Sequence, residues 1–168
     1  MTENSIGKTF KELTFDQGEA FSAFSAWLEN DYSSNPFVLS GYAGSGKTFL
    51  SMRFLREVEE QGWCWTVAAP THKAVGVLKT ALSLEGLKAT WFPSTIHRLL
   101  RLKLKREGSI EVCEQTEQTP RSLEQLELVL IDEASMIDSK LLSIVLQCAH
   151  TYKTRLVFVG DSAQLPPI

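Results

Sequence analysis

The sequence predicts an α/β protein built on a parallel sheet with helices on both faces. Two observations support this prediction. Short, almost continuous apolar runs rich in valine and leucine recur along the chain, as in strands that are covered on both sides. Helical stretches separate these runs, and strand–helix alternation of this kind is typical of a parallel sheet. The four apolar runs are PFVLS (36–40), CWTVAA (64–69), LELVLI (126–131) and TRLVFV (154–159).

The helices are predicted from apolar residues that recur at helical spacing. The first covers about 15–30, and three more are expected at 46–60, 71–83 and 138–152. We treat 1–12 as a polar N-terminal arm and the remainder, 13–168, as one domain. The apolar stripe of the first helix comprises Ala20, Phe21, Phe24, Trp27 and Leu28.

The composition excludes several classes of protein. A formal charge of −3 argues against a generally basic coat for nucleic acid, although a local basic groove is compatible with it. No stretch approaches the ~20 apolar residues of a membrane helix, and the polar start lacks the apolar core of a signal peptide. Cys64, Cys113 and Cys148 are far apart and are predicted to be buried or half-buried thiols. We expect a cytoplasmic protein.

The segment 100–114 departs from the sheet pattern because apolar and basic residues alternate strictly in it. Alternation with a period of two predicts a strand with one face toward solvent. The alternating residues are Leu100, Leu102 and Leu104 on one side and Arg101, Lys103 and Lys105 on the other.

This segment predicts an antiparallel hairpin within an insertion that covers 98–122. A three-residue loop at 107–109 would place Lys105 opposite Glu111, and both faces would keep their character. A two-residue loop would set Lys105 against Ile110 and mix the two faces. We therefore predict the longer loop.

The tetrapeptide GKTF occurs twice, and only the second copy is predicted to bind a nucleotide. A phosphate-binding loop needs glycines that let backbone N–H groups converge on phosphate, a lysine, and a hydroxyl for Mg²⁺. The second copy has this spacing and lies between a predicted strand and a predicted helix. The first has Thr2 at the leading glycine position and no strand before it. The alternative for the second copy is a merely flexible glycine turn. Its residues are Gly41, Ala43, Gly44, Ser45, Gly46, Lys47 and Thr48.

Two adjacent carboxylates, Asp132 and Glu133, end the third apolar run. Such a pair is costly at the end of a buried strand unless a cation or water satisfies it. We assign Asp132 to Mg²⁺ through its water shell, and Glu133 to orienting or deprotonating the attacking water. The alternative is an acidic turn that caps the next helix.

Asp161 and Gln164 follow the last apolar run. A glutamine can donate to the γ-phosphate and lose that contact after hydrolysis, whereas the alternative is a loop amide that is bonded locally. In a parallel sheet the carboxyl ends of all strands share one edge. We therefore expect Asp161 and Gln164 to converge there with the loop at Gly41, with 71–73 and with the pair at 132–133.

These motifs together resemble those of superfamily 1B DNA helicases of the RecD/Dda type. GYAGSGKT, APTHKAV, STIHRLL, LVLIDEASM and GDSAQLPPI occur here in the same order and with similar spacing. The resemblance covers about 13–168 and implies a RecA-like P-loop NTPase fold. It also implies an enzyme that uses ATP and Mg²⁺ to move 5′ to 3′ along single-stranded DNA.

The resemblance implies roles for matching residues. Gln17 in LTFDQ would read the adenine base, and with Thr14 it also has the spacing of a capping box, which is compatible with that role. In the family the inserted hairpin is a pin that splits the duplex. The residues that would contact DNA are Pro70, Thr71, His72, Lys73, Ser94, Thr95 and His97, with Arg101, Lys103 and Lys105 of the hairpin.

Each assignment to DNA has a structural alternative. Thr71 would cap the following helix, whose free N–H groups suit a phosphate but also need a cap. His97 could serve in packing, and the basic side of the hairpin could be a solvated face. Trp91 and Phe92 could stack on bases, but aromatic residues beside a proline are more often core, so we leave them out of the site.

The family's second motor domain carries arginines that complete the nucleotide site, and the 168 residues contain no counterpart of it. An arginine of this kind accelerates related phosphoryl transfers by ~10³–10⁵. We therefore expect a monomeric domain that binds Mg·ATP or ADP, hydrolyses ATP slowly and does not unwind DNA alone. Two other functions fit the motifs: a phosphate-loop ATPase that ignores nucleic acid, and a nucleotide-gated DNA-binding module without turnover.

Overall fold

The computed structural model describes residues 13–41 and 44–161. In these ranges helices alternate with the strands of a sheet, as predicted, and no helix there is long and apolar enough to cross a membrane. The helices are α1 (Phe15–Glu29), α2 (Lys47–Glu60), α3 (His72–Glu85), the short α4 (Ile96–Leu99) and α5 (Ser139–Tyr152). The strands are β1 (Phe37–Ser40), β2 (Trp65–Ala69), β3 (Ser94–Thr95), β4 (Lys103–Glu107), β5 (Ile110–Glu114), β6 (Leu128–Ile131) and β7 (Arg155–Gly160).

Five strands form one parallel sheet in the order β1-β7-β6-β2-β3. Every neighbouring pair in it runs parallel, and their last residues are level, as Ser40 with Gly160 and Ala69 with Thr95, or within two residues of each other. The carboxyl ends of all five strands therefore lie at one edge of the sheet.

Helices cover both faces of this sheet. Successive residues of β6 alternate between two hydrophobic clusters. Leu128 and Leu130 belong to the cluster with α1, α2 and α3, whereas Val129 and Ile131 belong to the cluster with α4 and α5. Burial on both faces explains the continuous apolar runs in the sequence and confirms the predicted fold class.

The cysteines are free thiols, as predicted. Cys64 and Cys113 are half-buried, and Cys148 is buried. The Cys148 thiol donates to the carbonyl of Thr119 (3.4 Å), and burial raises its pKa. It serves as a small core residue with a satisfied S–H group.

An aromatic cluster packs α1 against α2 and β1. The ring of Phe24 stacks on Phe54 of α2 with centroids 4.1 Å apart, and Phe37 of β1 meets Phe24 edge-on at 5.4 Å. Such pairs stabilise a fold by about 0.5–1.5 kcal/mol beyond the area they bury. The cluster fixes the position of α1 beside the strand that leads into the phosphate loop.

The buried guanidinium of Arg155 joins the start of β7 to the end of α1. It donates to the carbonyls of Trp27 (2.9 Å) and Asn30, which the helix leaves without intrahelical partners. It also lies 5.5 Å from the ring centroid of Trp27 and 5.3 Å from that of Trp63. Burial lowers the pKa of Arg155, while Asp31 acts in the opposite direction.

The inserted hairpin is present, but its predicted register is wrong. Glu107 pairs with Ile110 and Lys105 with Val112, so the loop contains two residues, Gly108 and Ser109. Gly108 has φ of +68°, as the first central residue of a glycine-led two-residue turn requires. The shift by one residue places Lys105 on the same side as Val112, and the two faces of the hairpin are mixed.

Arg101 lies before the hairpin strands, which corrects its predicted place on their basic face. It has φ of +55°, a conformation that is uncommon outside glycine. Its carbonyl accepts from the hydroxyls of Thr116 (2.8 Å) and Thr119 (3.4 Å), and its guanidinium donates to Gln118 (2.9 Å). These bonds tie together the two ends of the insertion.

Candidate nucleotide and nucleic-acid site

The predicted site segments meet at the carboxyl edge of the sheet. Gly41 follows β1, Asp161 follows β7, Asp132 follows β6, and Thr71 lies two residues after the end of β2. Because β7 lies between β1 and β6, Asp161 lies between the phosphate loop and the carboxylate pair. The predicted convergence is confirmed for these residues. Two other predicted members, Ala43 and Gln164, lie outside the described residues.

The phosphate loop folds tightly, and its glycines are required by its geometry. The N–H of Gly41 donates to the carbonyl of Gly160 (3.2 Å), and a Cβ on Gly41 would lie only 2.6 Å from the Ser45 hydroxyl. Gly46 has φ of +82°, which strains any other residue. Lys47 opens α2, and its ammonium donates to the carbonyl of Gly41. The lysine is thus bonded back to the first residue of its own loop.

Gln17, in the first turn of α1, lies next to the phosphate loop. Its side-chain amide oxygen accepts from the backbone N–H of Thr14 (3.1 Å), while the Thr14 hydroxyl accepts from the backbone N–H of Gln17 (3.3 Å), which confirms the capping box. A Cβ on Gly46 would lie 2.5 Å from its amide nitrogen. Gln17 also lines a cavity of about 280 Å³ together with Gly41 and Lys47. Capping and contact with a nucleotide are therefore compatible.

Asp132 is electrostatically coupled to the phosphate loop. Its N–H donates to the carbonyl of Ala68 (3.0 Å), which sets it against β2, and its carboxylate accepts from the N–H of Glu133 (2.8 Å). Burial raises the pKa of Asp132, while that hydrogen bond and the charge of Lys47 act in the opposite direction. The lysine after β1 and the carboxylate after β6 therefore belong to one site.

Glu133 is exposed and has φ of +51°, an uncommon backbone conformation for this residue. Its side chain makes no capping bond to the short 3₁₀ turn that follows. The cap of α5 is instead Asp138, which accepts from the N–H of Leu141 (2.7 Å). The alternative that the carboxylate pair caps the next helix is thus wrong.

At the end of β2, Thr71 caps α3 as predicted. Its hydroxyl accepts from the N–H of Ala74 (3.2 Å). His72 and Lys73 follow in the first turn and are exposed. The first turn of α3 therefore presents a basic, exposed surface at the carboxyl edge of the sheet, the edge that also carries the phosphate loop.

The two residues of β3 are more buried than His72 and Lys73. Thr95 is buried, and its hydroxyl caps α4 by accepting from the N–H of Arg98 (3.3 Å). Ser94 is half-buried and donates to the carbonyl of Thr95 (3.3 Å), while His97 is half-buried in α4. Thr95 is buried and its hydroxyl caps α4, whereas Ser94 and His97 are only half-buried and are therefore better placed for a ligand.

The hairpin is less basic on either face than the sequence indicated. Lys103 lies opposite Glu114, and the ammonium of Lys105 is 3.3 Å from the Glu114 carboxylate. Arg106 lies 3.8 Å from Glu111. Exposed pairs of this kind contribute little to stability. They reduce the positive charge that the hairpin offers to a phosphate backbone.

The aromatic residues before β3 differ from each other. Trp91 is half-buried and packs against the core, as expected, but Phe92 is 92% exposed, and the expectation that it is core is wrong.

The structural role of Arg155 was not predicted from the sequence, because the carbonyls that it binds are 125 and 128 residues away in the sequence.

Comparisons with known proteins agree with this architecture. The family model described as "AAA domain" matches residues 22–168. The ATP-dependent DNA helicase dda of Enterobacteria phage T4 is 30% identical over 161 residues, covering 95% of this chain and 34% of that protein. The Pif1 structure from Bacteroides sp in complex with ADP-AlF4 has a TM-score of 0.57 and 25% identity, covering 94% of this chain and 34% of that chain. Bacteroides Pif1 bound to ssDNA has a TM-score of 0.57 and 26% identity, with the same coverage of 94% and 34%. This chain spans about a third of the length of these relatives.

The class of protein follows from the fold and these relatives together. The sheet and its phosphate loop are those of a RecA-like α/β domain. The chain belongs to the AAA domain family. It is a helicase-like RecA domain of the superfamily 1B type found in Pif1 and Dda, which confirms the resemblance seen in the sequence.

Proposed function

We propose that this chain is the ATP-binding motor domain of a DNA helicase. Together with a second RecA-like domain it couples ATP hydrolysis to 5′–3′ translocation on single-stranded DNA and to unwinding of the duplex. One observation carries the proposal: β1, β7 and β6 are adjacent parallel strands, so the loop that leads to Lys47 and the carboxylate of Asp132 both lie at the carboxyl edge of the sheet, where the charge of Lys47 acts on Asp132. The relatives support it, since one is an ATP-dependent DNA helicase and the other, Pif1, has been crystallised in complex with ADP-AlF4 and bound to ssDNA.

The phosphates of ATP would bind at the loop between β1 and α2. Lys47 would exchange its bond with the Gly41 carbonyl for phosphate oxygens, and the N-terminus of α2 adds favourable potential. Gln17 lines the same cavity, and its amide can both donate to and accept from an adenine edge. The base and the phosphates would therefore be held by adjacent parts of one cavity.

The residues present fit a magnesium ion. Thr48, exposed in the first turn of α2, and Asp132 supply the hard oxygen donors that Mg²⁺ prefers. Bound there with the nucleotide, Mg²⁺ would neutralise phosphate charge. Glu133 is exposed at the same edge of the sheet and would orient a water molecule and take its proton. Gln164 would donate to the γ-phosphate.

Single-stranded DNA would bind at the same edge of the sheet, beyond the nucleotide. The exposed His72 and Lys73 follow the end of β2, and Ser94 lies in the adjacent β3. Lys103 and Lys105 of the hairpin would lie ahead of them at a fork. Hydrolysis without the second domain's arginines would be slow.

Binding of a fluorescent ATP analogue and ATP hydrolysis with and without oligo-dT test this function. Lys47→Ala should abolish nucleotide binding, whereas Lys140→Ala, an exposed lysine on α5, should not change it. Glu133→Gln should keep nucleotide binding and remove the slow hydrolysis. Brisk hydrolysis that ignores oligo-dT would favour a phosphate-loop ATPase without a nucleic-acid substrate. DNA binding that responds to nucleotide but never leads to turnover would favour a binding module.

A further inference from the structure

Phe92 has the largest exposed fraction of the large apolar side chains that the structure describes, with 92% of its surface accessible. The backbone that carries it is fixed. The carbonyl of Trp91 accepts from the hydroxyl of Thr66 in β2 (2.8 Å), and Pro93 and β3 follow directly. An aromatic ring held in water on a fixed backbone gains nothing from the hydrophobic effect, so its role has to be sought outside the core.

The ring of Phe92 lines a groove of about 500 Å³ between the second half of α3 and residues 87–93. Lys79 and Lys88 line the same groove, and none of the residues that line it is acidic. An exposed ring beside positive charge suits a nucleobase with its phosphates, because every base has a face that stacks and the backbone is anionic. An apolar protein segment would have no use for the two lysines.

The outer face of α3 connects this groove with the first turn of the helix. Lys73, Val77, Thr80 and Leu84 recur at helical spacing and are all exposed. At 1.5 Å per residue, Lys73 and Lys79 lie roughly 9 Å apart along the axis. The one carboxylate of α3, Glu85, lies 3.4 Å from the guanidinium of Arg56. Lys79 lies about 120° around the helix from Lys73, on the side of α3 that borders the groove, and no unpaired carboxylate of α3 lies between the two lysines.

We propose that the groove of Phe92, Lys79 and Lys88 binds single-stranded nucleic acid, with one base stacked on Phe92 and phosphates beside the lysines. The strand would pass from the first turn of α3 and around the side of the helix into this groove. The inference rests on the proposed function, since it extends the path of a strand that the chain is proposed to bind.

Fluorescence anisotropy of labelled oligo-dT, titrated with the 168-residue chain at several salt concentrations, tests the groove. Stacking on an aromatic side chain predicts that Phe92→Ala weakens binding roughly fivefold or more, and that Phe92→Trp retains it. Phe15→Ala is the matched control, since Phe15 is 80% exposed on α1, away from the groove, and its loss should leave affinity unchanged. Lys79→Gln and Lys88→Gln should each reduce the slope of log affinity against log salt by about 0.7.

The outcomes separate this inference from the proposed function. If the unmodified chain binds the fluorescent ATP analogue but no oligo-dT, the inference fails, whereas the proposed function fails only if the ATP analogue is not bound either. If the chain binds oligo-dT and Phe92→Ala binds it equally well, the groove is not on the strand's path and the inference alone is overturned. An equal loss in Phe92→Ala and Phe15→Ala would also overturn it, because the effect would not depend on the groove. Unchanged binding of the fluorescent ATP analogue shows that each variant is folded.

Discussion

Replacing Arg155 by methionine should weaken the fold substantially. The guanidinium donates to two carbonyls at the end of α1, and a hydrogen bond from a charged donor contributes about 1.5–3 kcal/mol. Its contacts with Trp27 and Trp63 add about 0.5–1 kcal/mol each. Desolvation of the guanidinium, which also lowers its pKa, opposes these terms by several kcal/mol. We expect a net decrease of roughly 3 kcal/mol in the free energy of unfolding.

Urea unfolding followed by circular dichroism measures this difference, and Tm should fall by roughly 6–12 °C in a chain of this size. The stability of Arg155→Lys should lie between those of Arg155→Met and the unmodified chain, because an ammonium keeps the charge but lacks the planar set of N–H donors of a guanidinium. The control is Arg106→Met on the exposed hairpin, which should change stability by less than about 0.5 kcal/mol. If Arg155→Met unfolds at the same urea concentration as the unmodified chain, the buried guanidinium does not stabilise the fold and the reasoning is refuted.

Two further predictions concern the nucleotide site. Gly46→Ala places a Cβ 2.5 Å from the amide nitrogen of Gln17 at φ of +82°, so it should abolish binding of a fluorescent ATP analogue and cost about 1–2 kcal/mol of stability. Its control, Gly76→Ala in α3, meets no atom within 4 Å and should leave binding unchanged. Burial raises the pKa of Asp132, so the folded state binds the proton more tightly than the unfolded chain does. The free energy of unfolding therefore falls as pH rises from the pKa of Asp132 in the unfolded chain through its pKa in the folded state. Asp132→Asn should therefore raise Tm at pH 7 but not below the ordinary carboxyl pKa, and equal effects at both pH values would contradict this cause.

Local and repeated signals made most of the fold predictable. Strands such as β6 are buried on both faces, so they appear in the sequence as unbroken apolar runs. The helix caps at Thr14 and Thr71 could also be predicted from the sequence, because a cap and its partner are three residues apart. The phosphate loop and the pair at 132–133 were found because each follows a strand whose carboxyl end must lie at the common edge.

The features that were missed depend on distant contacts or on competition between signals. In the hairpin, the alternation of Leu104 and Lys105 favoured one register, while the turn formed at Gly108 and Ser109 fixed another. The exposure of Phe92 depends on what packs beside it in three dimensions, and no neighbouring residue in the sequence specifies that. Arg155 looks like any strand residue until the end of α1 is placed beside it.

Helix α1 is held at both ends, and this has a mechanical consequence. At its first turn Gln17 abuts Gly46 of the phosphate loop, and at its last turn Trp27 is bonded to Arg155 of β7. A helix of 15 residues is about 22 Å long and stiff, so it holds these two contacts at a fixed separation. The phosphate loop thus has a second connection to Asp161, through α1 and the length of β7, in addition to the direct pairing of β1 with β7.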